Sequence, residues 1–107
     1  MLLSVIIPAY NEIEFIDEIL RKVGETPYEK EIIIVDDCST DGTREYLKGL
    51  NGPGIKTLFQ DRNQGKGAAL KAGMAAATGD IVLIQDADLE YDPREYPVLL
   101  RPILEDK

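Results

Sequence analysis

The sequence predicts an α/β fold on a parallel sheet of about four strands, in the order 3-2-1-4 and flanked by helices. Three observations carry this. Four short apolar runs, at Leu2 to Ile7, Ile32 to Val35, Ile55 to Phe59 and Ile81 to Ile84, are separated by segments whose apolar residues fall at helical spacing. The runs are continuous rather than alternating, as strands covered on both faces require. Acidic or aromatic clusters follow three of them, at Pro8 to Glu12, Asp36-Asp37 and Asp86 to Asp88. Right-handed crossovers in that order would gather all three at one rim, beyond the carboxyl ends of the strands, where such sheets bind ligands.

The first run stops at Pro8, which marks the end of a strand. Asn11 then precedes Ile13, Ile16, Ile19, Leu20 and Val23, with Glu14 three residues after it as in a capping box, so a first helix is expected to start there. The second run ends in Asp36-Asp37, and Ser39 to Gly42 reads as a turn with Asp41 capping a short helix through Tyr46, Leu47 and Leu50. The third strand is the least apolar. The loop Asp61 to Gly67 leads from it into a helix over Ala68 to Thr78, whose Ala69, Leu70, Gly73, Met74 and Ala77 form a small-residue packing face. After the fourth strand, Asp92-Pro93-Arg94-Glu95 supplies a cap, a proline at the first helical position and an acid. Pro97 redirects that helix after its first turn.

Composition narrows the function. The chain of 107 residues, 44% hydrophobic, supports one core and one domain or fragment. Its net charge of −8 argues against nucleic acid as a partner and fits a protein that recruits cations. There is no histidine, so any acid, base or metal role falls to carboxylates, Lys or Tyr. Cys38 stands alone, which excludes an intrachain disulfide framework and fits a reducing compartment; it reads as a small turn residue. No apolar run reaches the roughly 20 residues of a membrane span, and the opening Met1 to Pro8 reads as a strand rather than a signal peptide. A cytoplasmic chain is expected.

Each cluster has a chemical reading and a plainer one. In an extended chain Asp86 and Asp88 point the same way with Ala87 turned aside, which suits a hard divalent cation that also holds phosphate oxygens; alternatively they are a polar turn closing a strand. Tyr10 can stack on a base or ribose, or be a packed loop aromatic. Asp37 can accept hydrogen bonds from a base or ribose hydroxyl, or serve as capping acid; of Asp36 and Asp37, one is expected to face a ligand and the other to tie down the Ser39 to Thr43 turn. Lys66 starts a helix, against the positive end of the macrodipole. A bound anion would reverse that penalty, with Gly65 and Gly67 letting backbone N–H groups approach it; the alternative is a solvated lysine in a Gly-rich loop. Neither a Walker loop nor a dinucleotide fingerprint is present.

Four stretches, Ser4 to Glu12, Ile34 to Thr43, Asn63 to Ala69 and Gln85 to Asp88, closely resemble in content and order the family 2 glycosyltransferases of the Rossmann-like GT-A fold. Within them the chain is similar to the polyprenyl- or dolichyl-phosphate mannosyl- and glucosyltransferases. The resemblance implies that residues 1–107 are the donor-binding half of such an enzyme. It implies a GDP- or UDP-hexose donor held by Pro8, Tyr10, Glu12, Val35 and Asp37, with Lys66 near the diphosphate. Asp86, Ala87 and Asp88 would lie at the phosphates and at a catalytic Mg²⁺ or Mn²⁺ held by Asp86 and Asp88. The acceptor implied is a polyprenyl or dolichyl phosphate or a glycan, which gives the chain a peripheral seat at the cytoplasmic membrane face.

The chain departs from the family in length, since these enzymes continue well past the Asp-x-Asp with an acceptor half. Two other readings follow. One is a non-catalytic nucleotide-binding or self-associating fragment, a second copy covering an unfinished sheet edge or bare apolar face. The other is a receiver-like Mg²⁺-binding signalling module, although the acidic pair of that fold follows the first strand and here follows the second.

Overall fold

The structure, a computed structural model, describes residues 1–87 and 92–105, the side chains of 104 and 105 excepted. Strands β1 (Leu3–Ala9), β2 (Lys30–Asp36), β3 (Ile55–Phe59) and β4 (Ile81–Ile84) form one parallel sheet in the order β3-β2-β1-β4. This is the predicted order. Helices α1 (Ile16–Gly24), α2 (Thr43–Lys48) and α3 (Lys66–Ala76) connect the strands, and a 3-10 turn at Pro93–Glu95 leads into α4 (Tyr96–Glu105).

The alternation of side chains along β1 and β2 splits the core in two. Leu3, Val5 and Ile7, with Ile32 and Ile34, face α1 through Ile16, Ile19 and Val23, α2 through Leu47, and α4 through Tyr96 and Leu100. On the other face Ile33 and Val35 pack against Ala69 of α3, flanked by Ala72 and Ala76. Each fully buried Ile or Leu contributes about 1.5–3 kcal/mol, so the uninterrupted run Val5 to Ile7 pins β1 at the sheet centre. α3 lies over β1 and β2. Its approach is close enough that a Cβ at Gly73 would stand 2.5 Å from Cγ2 of Ile6.

Three expectations are corrected. β4 is not covered on both faces: Ile81 and Leu83 pack against the larger core, but Val82 is 42% and Ile84 47% exposed. β4 is an edge strand, and α3 sits over its neighbours instead. The predicted cap at Asn11 is also absent. α1 starts at Ile16 behind Phe15, which makes no side-chain cap bond, while Asn11 takes a left-handed φ of 54° and its Oδ1 accepts Thr40 N–H at 2.7 Å. A tertiary bond between loops has outcompeted the local one. α3 begins at Lys66, two positions before the expected Ala68, and Met74 points to solvent at 56% exposure rather than into the packing face.

The last helix follows its prediction. Asp92 accepts Arg94 N–H at 2.9 Å, Pro93 opens the 3-10 turn, and the chain turns into α4 at Tyr96, beside Pro97. No helix among the described residues is long and apolar enough to cross a membrane.

Candidate functional site

Because all four strands run parallel, their carboxyl ends share one edge of the sheet, and the loops leaving them enclose a cavity of about 350 Å³. Pro8, Tyr10 and Glu12 enter it from the loop after β1, and Asp37 from the end of β2. Asn63, Gly65 and Lys66 come from the β3–α3 loop, Asp86 and Ala87 from the turn after β4. Residues up to 79 positions apart in sequence thus line one space, as the topology predicted.

The walls are braced by hydrogen bonds between loops. Asn11 N–H donates to Ser39 Oγ at 2.9 Å, Glu12 N–H to Thr43 Oγ1 at 3.0 Å, and Ile13 N–H to Asp41 Oδ2 at 3.2 Å. The loop carrying Tyr10 and Glu12 is therefore fixed to the loop after β2. Asp41 also accepts the N–H and hydroxyl of Thr43 through Oδ1. Burial works to raise its pKa, but these bonds together hold it below the ordinary value. Asp36 is the member of the acidic pair that ties down the turn. Fully buried, it accepts Ser39 N–H at 3.2 Å and pairs with Arg44 at 3.0 Å through Oδ2.

Asp37 faces the other way, and its carboxylate closes the β3–α3 loop. Oδ1 accepts Gln64 N–H at 2.8 Å and Oδ2 accepts Gly65 N–H at 2.9 Å. Gly65 has a φ of 94°, a conformation that favours glycine. Of the two glycines expected to open the way to an external anion, Gly65 thus has its amide held by an internal one, although Asp37 borders the cavity and each of its oxygens has a second lone pair. Lys66 is treated alike: its Nζ donates to Asp86 Oδ1 at 2.5 Å. That pair offsets the unfavourable placement of a cation at the start of α3.

The same pair tests whether the turn after β4 suits a metal ion. Among the described residues no group of three or more His, Cys, Asp or Glu is gathered to hold one. Asp86 nevertheless already carries a cation, the Lys66 ammonium. An all-oxygen site of low ligand count fits a hard ion that keeps waters and takes further oxygens from phosphate. Asp88, expected as the second ligand, lies outside the described residues.

Tyr10 is 44% exposed, so its ring is available at the cavity. Val35 is fully buried beside Ile33 and Ala69 and does not line the cavity. Ala87 is turned into the core, 3% exposed, yet borders the cavity. Asn63 and Ala69, which the sequence placed in a family-like stretch without assigning either a role in the site, border it too. A signal existed for Asn63, since it follows the one strand end not counted among the clusters. None existed for the left-handed Cys38, φ 62°, whose Sγ lies 3.7 Å from Asp61 O.

Comparison with known proteins gives this geometry a family. An undecaprenyl-phosphate 4-deoxy-4-formamido-L-arabinose transferase of Pseudomonas fluorescens is 38% identical over 104 residues, which cover 91% of this chain and 30% of that protein. The chain thus spans about a third of the length of the curated relatives it matches. Among solved structures, Staphylococcus aureus TarS 1–349 in complex with UDP superposes with a TM-score of 0.82 at 30% identity, over 98% of this chain and 32% of that one. A mannosyltransferase of Pyrobaculum calidifontis in complex with GDP-Man and Mn²⁺ superposes with a TM-score of 0.72 at 35% identity, over 80% of this chain and 27% of that one. The model of the family described as glycosyl transferase family 2 matches residues 4–107, and this chain belongs to that family.

Proposed function

We propose that this chain is the donor-binding part of a glycosyltransferase that moves a hexose or related sugar from a nucleoside diphosphate to a polyprenyl phosphate, with Mg²⁺ or Mn²⁺ at the acidic turn. The carrying observation is the single cavity that collects an exposed aromatic, a carboxylate, an ammonium and the acidic turn from four loops. A nucleotide sugar needs each of these. Tyr10 offers a face for the base or ribose, and Asp37 offers acceptors for base N–H or ribose hydroxyl. Lys66 supplies positive charge for the diphosphate, and Asp86 with Asp88 would hold the metal. When bound, that ion supplies Lewis acidity toward the departing diphosphate.

The relatives support the reading at both ends. TarS is solved with UDP and the Pyrobaculum enzyme with GDP-Man and Mn²⁺, while the Pseudomonas relative is named for undecaprenyl phosphate. A lipid phosphate acceptor is already an anion, so transfer to it dispenses with a strong general base; the chain has no histidine to be one. A polyprenyl phosphate is a membrane lipid, which supports a peripheral seat at a membrane surface; the cytoplasmic face is part of the proposal. Family membership leaves no ground for the receiver-like reading.

Calorimetric titration of UDP and GDP, each with and without Mn²⁺, against the wild-type chain and Asp86→Ala tests the proposal. The expected result is metal-dependent binding of one nucleotide, weakened at least about tenfold in the variant. Absence of metal-dependent binding to the wild type, or binding untouched by the substitution, overturns it. Sugar transfer to undecaprenyl phosphate, assayed in parallel, is expected to be far below that of enzymes three times as long; binding with no transfer at all is the outcome for a non-catalytic fragment.

A further inference from the structure

Directly before the acidic turn stands Gln85, a polar residue only 1% exposed. An amide in such a place is costly unless its groups are bonded, and an apolar side chain of similar volume would fill the space without that liability. Three of its bonds bear on the turn. The backbone N–H donates to Ile6 O at 2.9 Å, which fixes Gln85 to β1. The side-chain Oε1 accepts the Tyr96 hydroxyl at 2.8 Å, and Nε2 donates to the backbone carbonyl of Asp86 at 3.1 Å.

Tyr96 is 1% exposed and opens α4, directly after the 3-10 turn. Burial pushes its phenol pKa up, so it remains a donor throughout the neutral range. A chain of bonds therefore leads from the start of α4 through one buried amide to the carbonyl of the residue that pairs with Lys66. Because the peptide is planar, holding the carbonyl of Asp86 also sets the orientation of the N–H of Ala87, which borders the cavity. Ala87 belongs to the same core cluster as Tyr96, so packing and hydrogen bonding act on the turn together.

We propose that Gln85 and Tyr96 are positioning residues for the metal and diphosphate end of the site, the hydroxyl of Tyr96 holding Gln85 so that Gln85 holds the Asp86 peptide. This rests on the donor-site reading above. Among the described residues, the cavity lining includes neither side chain, so their route to the site is through the Asp86 peptide. Their effect is confined to the acidic turn, whereas Tyr10 and Asp37 belong to loops braced separately through Ser39, Asp41 and Thr43. The prediction is a split: metal-dependent affinity falls while metal-free nucleotide affinity stays.

The experiment compares wild type, Tyr96→Phe, the double variant Gln85→Met with Tyr96→Phe, and Val23→Ala, using whichever of UDP or GDP the wild type binds, with and without Mn²⁺. The double variant removes the amide oxygen together with the hydroxyl that it accepts, so Gln85 Oε1 is not left stranded as it is in Tyr96→Phe alone. Val23→Ala opens a cavity in the same core cluster without touching the hydrogen bonds of Gln85 or Tyr96, and reports general destabilisation. Loss of about tenfold in Mn²⁺-dependent affinity is expected in both Tyr96 variants, with metal-free affinity within about twofold of wild type and no such split in Val23→Ala. Equal losses with and without metal, a similar split in the control, or no loss overturns the positioning role while leaving the donor site standing. A wild type without metal-dependent binding overturns the donor-site reading first, and this inference with it.

Discussion

At the scale of single residues, the carboxylates are separated by where they sit in the sheet. Asp37 and Asp86, just past the carboxyl ends of β2 and β4, border the cavity, while Glu31, near the opposite end and only 6% exposed, holds the fold together. It accepts the Ser4 hydroxyl at 2.5 Å, Thr78 N–H at 2.6 Å and the Thr78 hydroxyl at 3.0 Å, and Lys56 pairs with its other oxygen at 2.9 Å. Ser4 Oγ in turn accepts Gly79 N–H at 2.8 Å, so one side chain links β1, β2, β3 and the α3–β4 turn. The Ser4 bond, followed by that from the Thr78 amide, pulls its pKa from 4.5 to about 2. A depressed folded pKa means that the carboxylate stabilises the fold above the unfolded value and ceases to as pH falls through the folded one. Stability is therefore expected to drop between about pH 4.5 and 2. Glu31→Gln turns an amide NH₂ toward donors and should cost about 1–3 kcal/mol at neutral pH. Urea unfolding from pH 7 to 2 should show a shallower acid limb in the variant. Equal acid slopes in the two proteins would remove Glu31 from this role.

At the scale of elements, the tightest constraint is the seating of α3 on β1. Gly73→Ala gains about 1 kcal/mol of helix propensity but thrusts a methyl to 2.5 Å from Ile6, which is fully buried and cannot retreat. Overpacking of about 1–3 kcal/mol outweighs the gain, so the melting temperature should fall. Gly67→Ala, in the same helix, meets nothing within 4 Å and should raise it by the propensity term alone. Thermal melting that ranks the two variants the other way would show that the helix can shift outward. What was legible in the sequence follows the same division. Strands and their order could be read because Leu2 to Ile7 and Ile32 to Val35 are apolar runs with few alternatives, and parallel crossovers limit the topology. The start of α1 could not be read. Asn11 satisfies the rule for a cap as well as it satisfies Thr40, and only the approach of the second loop decides between them. For the site, Tyr10, Asp37, Lys66 and Asp86 were visible as chemistry in a rim position. That Asp37 and Asp86 engage the Gly65 amide and the Lys66 ammonium within the chain was not, because those partners lie 20 to 28 positions away.

At the scale of the whole molecule, the sheet has two edges that differ in protection. β3 carries Lys56, whose charge discourages a further strand from adding there. β4 reads Ile-Val-Leu-Ile, with no charge, and exposes Val82 and Ile84 on the face that α3 leaves bare. An unpaired edge beside an exposed apolar face is a template for association, and a second copy of this chain presents the same edge to pair with. Net charge of −8 opposes that encounter through long-range repulsion, but salt screens the repulsion and leaves apolar contact in place. Concentration-dependent self-association, stronger at high ionic strength, is therefore the expected behaviour in sedimentation velocity. Val82→Lys puts a charge on the bare face at a position 42% exposed, where it costs the fold little, and should return the chain to a monomer. The salt dependence separates this apolar mode from one built on surface ion pairs, which salt would weaken. A wild type that stays monomeric at high concentration and high salt would show that the short β4 edge is insufficient to recruit a partner strand.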